Sequence, residues 1–272
     1  MSDTIGFIGL GRLGLPIANN LVDAGYTLRV HNRTASKAAD LVARGAQLVA
    51  RPADVIVRGG VVVTVLWDDA SLDSVVTSDG FLDQLGPGGV HISMTTVLPA
   101  TGRRLAELHA RHGCSYVEAT VFGRPEAAAA RKLWIPLAGP QAAKDRVRPL
   151  LEAMGGQGIF DFGETAGAAT VVKLAGNFLL ISAARGLEEA LAMAEHNGVA
   201  PQAVVDMLTT TLFPSPIYQS YGKMIADKTA SISQSPIPRK DLGLFQQTAE
   251  QVGSPAPLAS HLLAVMQAAA AR

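Results

Sequence analysis

One short run near the start of the chain restricts its fold more than any other: Gly9-Leu10-Gly11-Arg12-Leu13-Gly14. It is a GxGxxG, a pattern that means little without context. Here an apolar stretch, residues 4–10, precedes it and an amphipathic one, residues 13–24, follows. A strand, a glycine turn and a helix in that order form the phosphate-binding corner of a dinucleotide-binding unit. The glycines allow the tight turn and let backbone N–H groups approach a pyrophosphate, and the helix N-terminus adds a partial positive charge. A glycine-rich turn without chemical meaning is the bland alternative, and the flanking elements weigh against it. Gly9, Leu10, Gly11, Arg12, Leu13 and Gly14 are therefore the candidate cofactor loop.

The alternation continues along the chain. Val- and Ile-rich runs of strand length occupy residues 4–10, 27–31, 61–66, 90–94, 115–121, 133–138 and 158–162. They are close to continuously apolar, which suits parallel strands covered on both faces. Helical patterns lie between, at residues 13–24, 36–44, 99–112 and 141–154. Strand–helix alternation predicts an α/β fold with a doubly wound sheet joined by right-handed crossovers. After about Gly163 the pattern changes. Residues 166–197 read as one long helix closed by Asn197-Gly198, and Pro201 opens another to about Thr210. Further helices are expected at 218–227, 241–252 and 257–271. Residues 228–239, with Ser231, Ser233, Ser235, Pro236 and Pro238, read as a loop. The expected domains are 1–163, a Rossmann-type dinucleotide-binding domain, and 164–272, an all-helical domain.

Composition narrows the function classes. Of 272 residues, 48% are hydrophobic and 17% charged, ample for a core. Lys plus Arg equals Asp plus Glu, so no global charge draws the chain to nucleic acid or to a membrane. Cys114 is the single cysteine, which excludes an internal disulfide framework and a Cys-cluster zinc site and fits a reducing compartment. No run approaches the ~18 uninterrupted apolar residues of a membrane span, and no basic segment opens the chain. The expectation is a cytoplasmic protein whose partner is a small molecule. The six histidines show no metal-ligand spacing; His109 and His112 read as surface residues. No Ser-His-Asp arrangement or nucleophile elbow suggests itself.

Three further places carry chemistry. The second strand ends in Arg29-Val30-His31-Asn32-Arg33-Thr34. An NAD-preferring site usually has Asp or Glu there for the ribose 2′-hydroxyl. Asn32, Arg33 and Thr34, with Ser36 and Lys37 nearby, suit a 2′-phosphate instead, because a guanidinium pairs with it and stacks on adenine. NADP(H) is favoured over NAD(H), with a solvated basic turn as the alternative. Met94-Thr95-Thr96 ends a strand on the side where a doubly wound sheet binds ligands. Its hydroxyls can reach a ribose or a substrate oxygen, or can cap the following helix. Lys173 and Asn177, four apart, share one helix face among Val171, Val172, Leu174, Ala175, Phe178 and Leu179. A lysine there either snorkels to solvent or is placed for acid–base work, which a desolvated amine suits.

Taken in order, these motifs resemble the β-hydroxyacid dehydrogenase family, the relatives of 3-hydroxyisobutyrate and 6-phosphogluconate dehydrogenases. Residues 5–16 are close to the family's cofactor signature, Thr95-Thr96 falls where it has Ser-Thr, Lys173-Leu174-Ala175-Gly176-Asn177 matches its Lys-x-x-x-Asn helix, and Lys240-Asp241 matches its late Lys-Asp pair. The resemblance covers nearly the whole chain. It implies a Rossmann domain joined by the long helix to an all-helical one, hydride transfer at nicotinamide, and a homodimer or tetramer. It implies that Lys173 is the general acid or base, that Thr95 and Asn177 bind substrate, that Thr96 and Leu66 touch the cofactor, and that Lys240 closes on cofactor or substrate. The family's substrate loop is a Pro-Val-Ser-Gly-Gly type sequence; here it reads Thr120-Val121-Phe122-Gly123-Arg124. Phe122 and Arg124 replace small residues beside Gly123, so plain 3-hydroxyisobutyrate is not the expected substrate. Arg124 either clamps an anionic substrate or points to solvent. The chain also ends just after its last helix, slightly short for the family. Imine reductases share this fold but usually carry another residue where Lys173 stands. A dedicated imine reductase and a non-catalytic NADP-binding module are the competing readings.

Overall fold

The computed structural model describes residues 4–229 and 236–270, and the chain divides into two compact units, Met1–Lys173 and Leu174–Arg272. In the first, strands and helices alternate: β1 (Thr4–Ile8), α1 (Gly14–Asp23), β2 (Thr27–His31), α2 (Ala39–Ala43), β3 (Gln47–Leu48), β4 (Val61–Thr64), α3 (Asp69–Val76), α4 (Phe81–Leu85), β5 (Val90–Ser93), α5 (Pro99–Arg111), β6 (Ser115–Ala119), α6 (Pro125–Ala129), β7 (Leu133–Ala138), α7 (Gln141–Ala153) and β8 (Gly156–Asp161). The strands form one sheet in the order β3-β2-β1-β4-β5-β6-β7-β8. The chain steps outward from β1 to β3, then returns to the other side of β1 as β4. The carboxyl ends of β1 and β4 therefore flank the crevice where open α/β sheets bind ligands.

Burial on both faces explains the continuous apolarity of the inner strands, whereas the edge strand β8 leaves Phe160 exposed. Val63, Ile92 and Val117 enter the core beneath Ile17, Leu21, Val147 and Leu151 of α1 and α7. Their neighbours Val62 and Tyr116 enter the opposite core with Leu72, Phe81 and Leu105. Successive residues thus serve opposite faces, as the strand period requires.

The structure corrects three expectations. β7 runs antiparallel to β6, and an isolated antiparallel bridge, Phe122 to Trp134, extends the reversal. The helix between them, α6, has five residues, too few for the crossover that a parallel partner needs. The short elements β3, α3, α4 and α6 lack a periodic signal long enough to read. Pro236 and Pro238 belong to a helix, since α11 (Pro236–Gln251) starts there; a first-turn proline gives up an N–H that has no helical partner anyway. Ser231, Ser233 and Ser235 lie outside the described residues.

The remaining helices are α8 (Ala168–His196), α9 (Pro201–Thr210), α10 (Pro216–Ala226) and α12 (Pro257–Ala270). Gly198, at φ +76°, ends α8 as its sequence predicts. By length and composition α8 could cross a membrane. Its buried positions Leu174, Ile181, Ala184, Leu187 and Leu191 fit a core helix instead. In the second unit Ile181 and Ala184 pack with Leu242, Ala259, Leu262 and Met266, and Phe178 stacks on Phe245 at 4.4 Å.

His109 is fully buried, contrary to the surface position expected from sequence. It follows Leu105 by four on the apolar stripe of α5, so the stripe carries it inward. Its Nδ1–H donates to Leu105 O at 2.6 Å, because a carbonyl only accepts. That fixes the chain of protons: His91 Nδ1–H donates to His109 Nε2 at 3.0 Å, and the Thr64 hydroxyl donates to His91 Nε2 at 2.9 Å. Burial pushes His109 down to about 4, and burial beside His109 holds His91 well below the usual histidine range. Both rings stay neutral in the fold, while the unfolded chain takes up protons below about pH 6.5. Stability present above that pH is therefore lost as pH falls toward 4, by up to about 3 kcal/mol for one group shifted this far. Thermal unfolding of His109→Gln should show a shallower loss of Tm between pH 7 and 4.5 than the unmodified protein; parallel curves would refute the neutral, buried pair.

Candidate active site

The glycine turn at the end of β1 is shaped by close backbone approach. Gly9 has φ +101°, and a Cβ there would lie 2.2 Å from Val65 O, just beyond β4. A Cβ on Gly14 would lie 1.9 Å from Gly9 O. Only glycine lets α1 pack this closely on the turn. Gly11 is different: a Cβ there would meet nothing within 4 Å. The N-cap of α1, Leu13, makes no side-chain capping bond, and the first turn carries no acidic residue. An open cradle at an uncapped helix N-terminus fits a dinucleotide pyrophosphate, with Gly9, Leu10, Gly11, Arg12, Leu13 and Gly14 around it.

Asn32 braces this turn. Its Oδ1 accepts the N–H of Leu10 at 2.8 Å, and its Nδ2 donates to Thr34 O at 2.8 Å. Arg33 and Thr34 are exposed at the same edge. Beyond β4, the N–H of Leu66 donates to Thr95 Oγ1 at 3.0 Å, and Thr95 is buried. That bond, rather than capping of α5, occupies Thr95; Leu98 stands at the N-cap position of α5. Thr96 follows, partly buried.

The stretch after β6 meets the start of α8. The Lys173 ammonium lies 4.3 Å from the centre of the Phe122 ring, a cation–π contact. Phe122 is held through its backbone: its N–H donates to Trp134 O at 2.8 Å and its carbonyl accepts from Trp134 N at 3.0 Å. Gly123 has φ +145°, and a Cβ there would lie 2.6 Å from Leu133 Cδ2. Arg124 is exposed, with its Nε 3.7 Å from Glu126 Oε2.

One turn past Lys173 on α8, Asn177 Nδ2 donates to Asp241 Oδ2 at 2.6 Å. Asp241 is buried, and its Oδ1 pairs with Lys240 Nζ at 2.9 Å. Asp241 thus links Asn177 and Lys240, a part that the sequence reading left without a role. Glu118 was missed altogether. It is buried in β6, its carboxylate turned to the first turn of α8. The available signal was a lone acid inside a strand with no exposed position.

Residues 4–166 match the family model described as the NAD binding domain of 6-phosphogluconate dehydrogenase. Residues 167–272 match the one described as NAD-binding of NADP-dependent 3-hydroxyisobutyrate dehydrogenase. The uncharacterized oxidoreductase YfjR of Bacillus subtilis is 40% identical over 259 residues, covering 94% of this chain and 90% of its own. The NAD-dependent L-serine dehydrogenase of Pseudomonas aeruginosa is 30% identical over 270 residues, 96% and 90% of the two chains. A solved structure of Mycobacterium tuberculosis 3-hydroxyisobutyrate dehydrogenase with L-serine matches with a TM-score of 0.86 at 27% identity, covering 100% and 94%. The fold and the site define a nicotinamide-dependent oxidoreductase. This chain belongs to the β-hydroxyacid dehydrogenase family.

Two glycines of the turn separate folding from binding. Gly14→Ala drives a Cβ into Gly9 O and should destabilise the fold by about 1–3 kcal/mol. Gly11→Ala should leave Tm nearly unchanged yet weaken dinucleotide binding at least about tenfold, the worth of one charge-assisted hydrogen bond. Calorimetric titration beside a thermal melt checks both; full affinity in Gly11→Ala would remove the cradle from the binding site.

Proposed function

We propose that the protein is an NADP(H)-preferring dehydrogenase of a small hydroxy acid, or of the matching carbonyl compound, in which Lys173 carries the proton. The observation that carries this reading is the Lys173 ammonium held over the Phe122 ring at the start of α8. The nicotinamide cofactor supplies or takes the hydride when bound at the glycine turn. Reduction of a carbonyl leaves charge on oxygen, and Lys173 gives that oxygen its proton; in oxidation the neutral amine takes the hydroxyl proton. Thr95 accepts from Leu66 N, which leaves its own O–H to donate to the substrate. Asn177 is the second substrate partner. Thr96 and Leu66 are assigned to the cofactor, and Lys240, oriented by Asp241, to cofactor or substrate.

Cofactor choice rests on the end of β2. Asn32 is committed to Leu10 and Thr34, so the exposed cation Arg33 is the group for a 2′-phosphate. Substrate choice rests on the loop after β6. The backbone N–H of Phe122 is taken by Trp134 O, so a substrate carboxylate cannot use it. Arg124 and the Gly123 backbone are the partners left for an acid, and plain 3-hydroxyisobutyrate does not suit a loop filled by Phe122. A non-catalytic binding module has no need of Lys173, and an iminium substrate already carries its proton. The same resemblance extends the reading to a cytoplasmic homodimer or tetramer.

Turnover of L-serine, 3-hydroxyisobutyrate and a panel of oxo acids and aldehydes, followed at the nicotinamide band, tests the activity. Lys173→Ala should lower kcat on the best substrate by about 10²–10⁴ while NADPH affinity changes little; an undiminished kcat would show that the proton comes from another group. Arg33→Ala should weaken NADPH by roughly 1.5–3 kcal/mol and leave NADH nearly unchanged. Equal affinity of the unmodified protein for both cofactors would overturn the NADP preference.

A further inference from the structure

Alternate residues from β6 onward meet α8 in order. Glu118 Oε1 accepts the N–H of Gly167 at 2.9 Å, and its Oε2 accepts that of Thr170 at 3.4 Å. The Thr120 hydroxyl donates to Ala169 O at 3.3 Å. Phe122 lies against Lys173. Because α8 starts at Ala168, Gly167 is its N-cap and Thr170 its third residue. A helix usually serves its third amide with a Ser, Thr or Asp at the N-cap. Gly167 has no side chain to offer. It also cannot gain one, since a Cβ at its φ of +96° would lie 3.0 Å from Pro99 O and Arg103 Nη1. The cap comes instead from a strand 49 residues earlier. Gly102 on α5 leaves room for it: a Cβ there would lie 2.1 Å from Glu118 Oε1. One carboxylate thus does the work of both halves of a capping box.

We propose that Glu118 is a positioning residue for proton transfer: its carboxylate fixes the first turn of α8 and thereby the place of Lys173, one turn along. The inference rests on the role assigned to Lys173 above.

The same carboxylate makes this hold sensitive to pH. Arg103 of α5 is the cation that faces Glu118 and favours its charged form, as do the amides of Gly167 and Thr170. Tyr116, two residues back on β6, is the other titratable neighbour, and burial keeps its phenol protonated. In register beside Glu118, β5 and β7 place Ser93 and Ala138, which carry no charge. Burial outweighs the favourable partners and pushes Glu118 up to about 7. Once protonated, the group keeps one good acceptor for two amides, and the helix end loses its anion. The folded value lies above the unfolded one, so the carboxylate forms in the fold only as pH rises through about 7, at some cost to stability. Turnover gains over that interval because Lys173 is then held in place.

The test uses the full chain with NADP⁺ and L-serine, or whichever hydroxy acid of the panel above is turned over fastest. Glu118→Gln should lower kcat at pH 8 by roughly 10–100-fold, the cost of misplacing a catalytic group. KM should stay within about twofold, and the rise of kcat between pH 6 and 8 should become shallower. Glu118→Asp keeps the charge and should restore that rise. Amide exchange of residues 167–173 should be about fivefold faster in Glu118→Gln at pH 8, the loss of a typical cap, and should match the unmodified protein at pH 5.5. Faster exchange with unchanged kcat and pH profile would reduce Glu118 to a structural cap and overturn the proposal, as would unchanged exchange. If Glu118→Gln does not fold, Glu118→Asp decides: a kcat that rises over the same pH interval in which amide exchange of residues 167–173 slows supports the proposal, and a kcat that rises independently of that exchange overturns it. No turnover of any panel compound by the unmodified protein counts against the functional reading alone; exchange still reports whether Glu118 fixes the turn.

Discussion

The first unit depends on how closely its backbone passes itself where β1 becomes α1. Gly9 lies against Val65 O and Gly14 against Gly9 O, at separations where any Cβ would overlap an oxygen. That contact sets the position of α1 against the crevice between β1 and β4. It leaves Gly11 facing open space at a helix end with no side-chain cap. Asn32 then locks the end of β2 to the same turn. The shape of this cradle is thus built into main-chain packing, with one side chain, Asn32, bracing it.

A second seam runs from β6 to α8. Glu118, Thr120 and Phe122 share one side of an extended segment, two residues apart, and meet successive parts of the first turns of α8. Such a seam turns sheet geometry into the placement of one lysine. The antiparallel bridge to Trp134 adds to it by fixing the backbone of Phe122. The reversal of β7 is therefore part of how the site is held, and not an irregularity at the sheet edge.

Much of this was legible in the sequence. The GxGxxG turn, the long helix and its Gly198 stop, and the start of α9 at Pro201 all depend on local backbone chemistry, which residue types encode directly. The Lys173–Asn177 spacing was readable for the same reason. What escaped notice depends on long-range partners. Nothing near Glu118 in the chain says that Gly167 lacks a cap, and nothing near His109 says that His91 waits across the core. β7 reversed direction because α6 is short, and a five-residue helix leaves little pattern. Asp241 was visible as half of a Lys-Asp pair, but its bond to Asn177 spans 64 residues.

Phe122 as the neighbour of Lys173 suits the proton-transfer role proposed for that lysine. A carboxylate in that place would hold the ammonium as an ion pair and would compete with the substrate oxygen for its proton. The face of an aromatic ring attracts the charge but has no lone pair to accept a hydrogen bond. The acid of this region, Glu118, acts instead on the helix backbone, with both oxygens on main-chain amides. Charge holds the scaffold here, and an aromatic surface meets the lysine. The same side chain fills the loop where smaller residues would leave space, so it shapes both the lysine's surroundings and the loop itself.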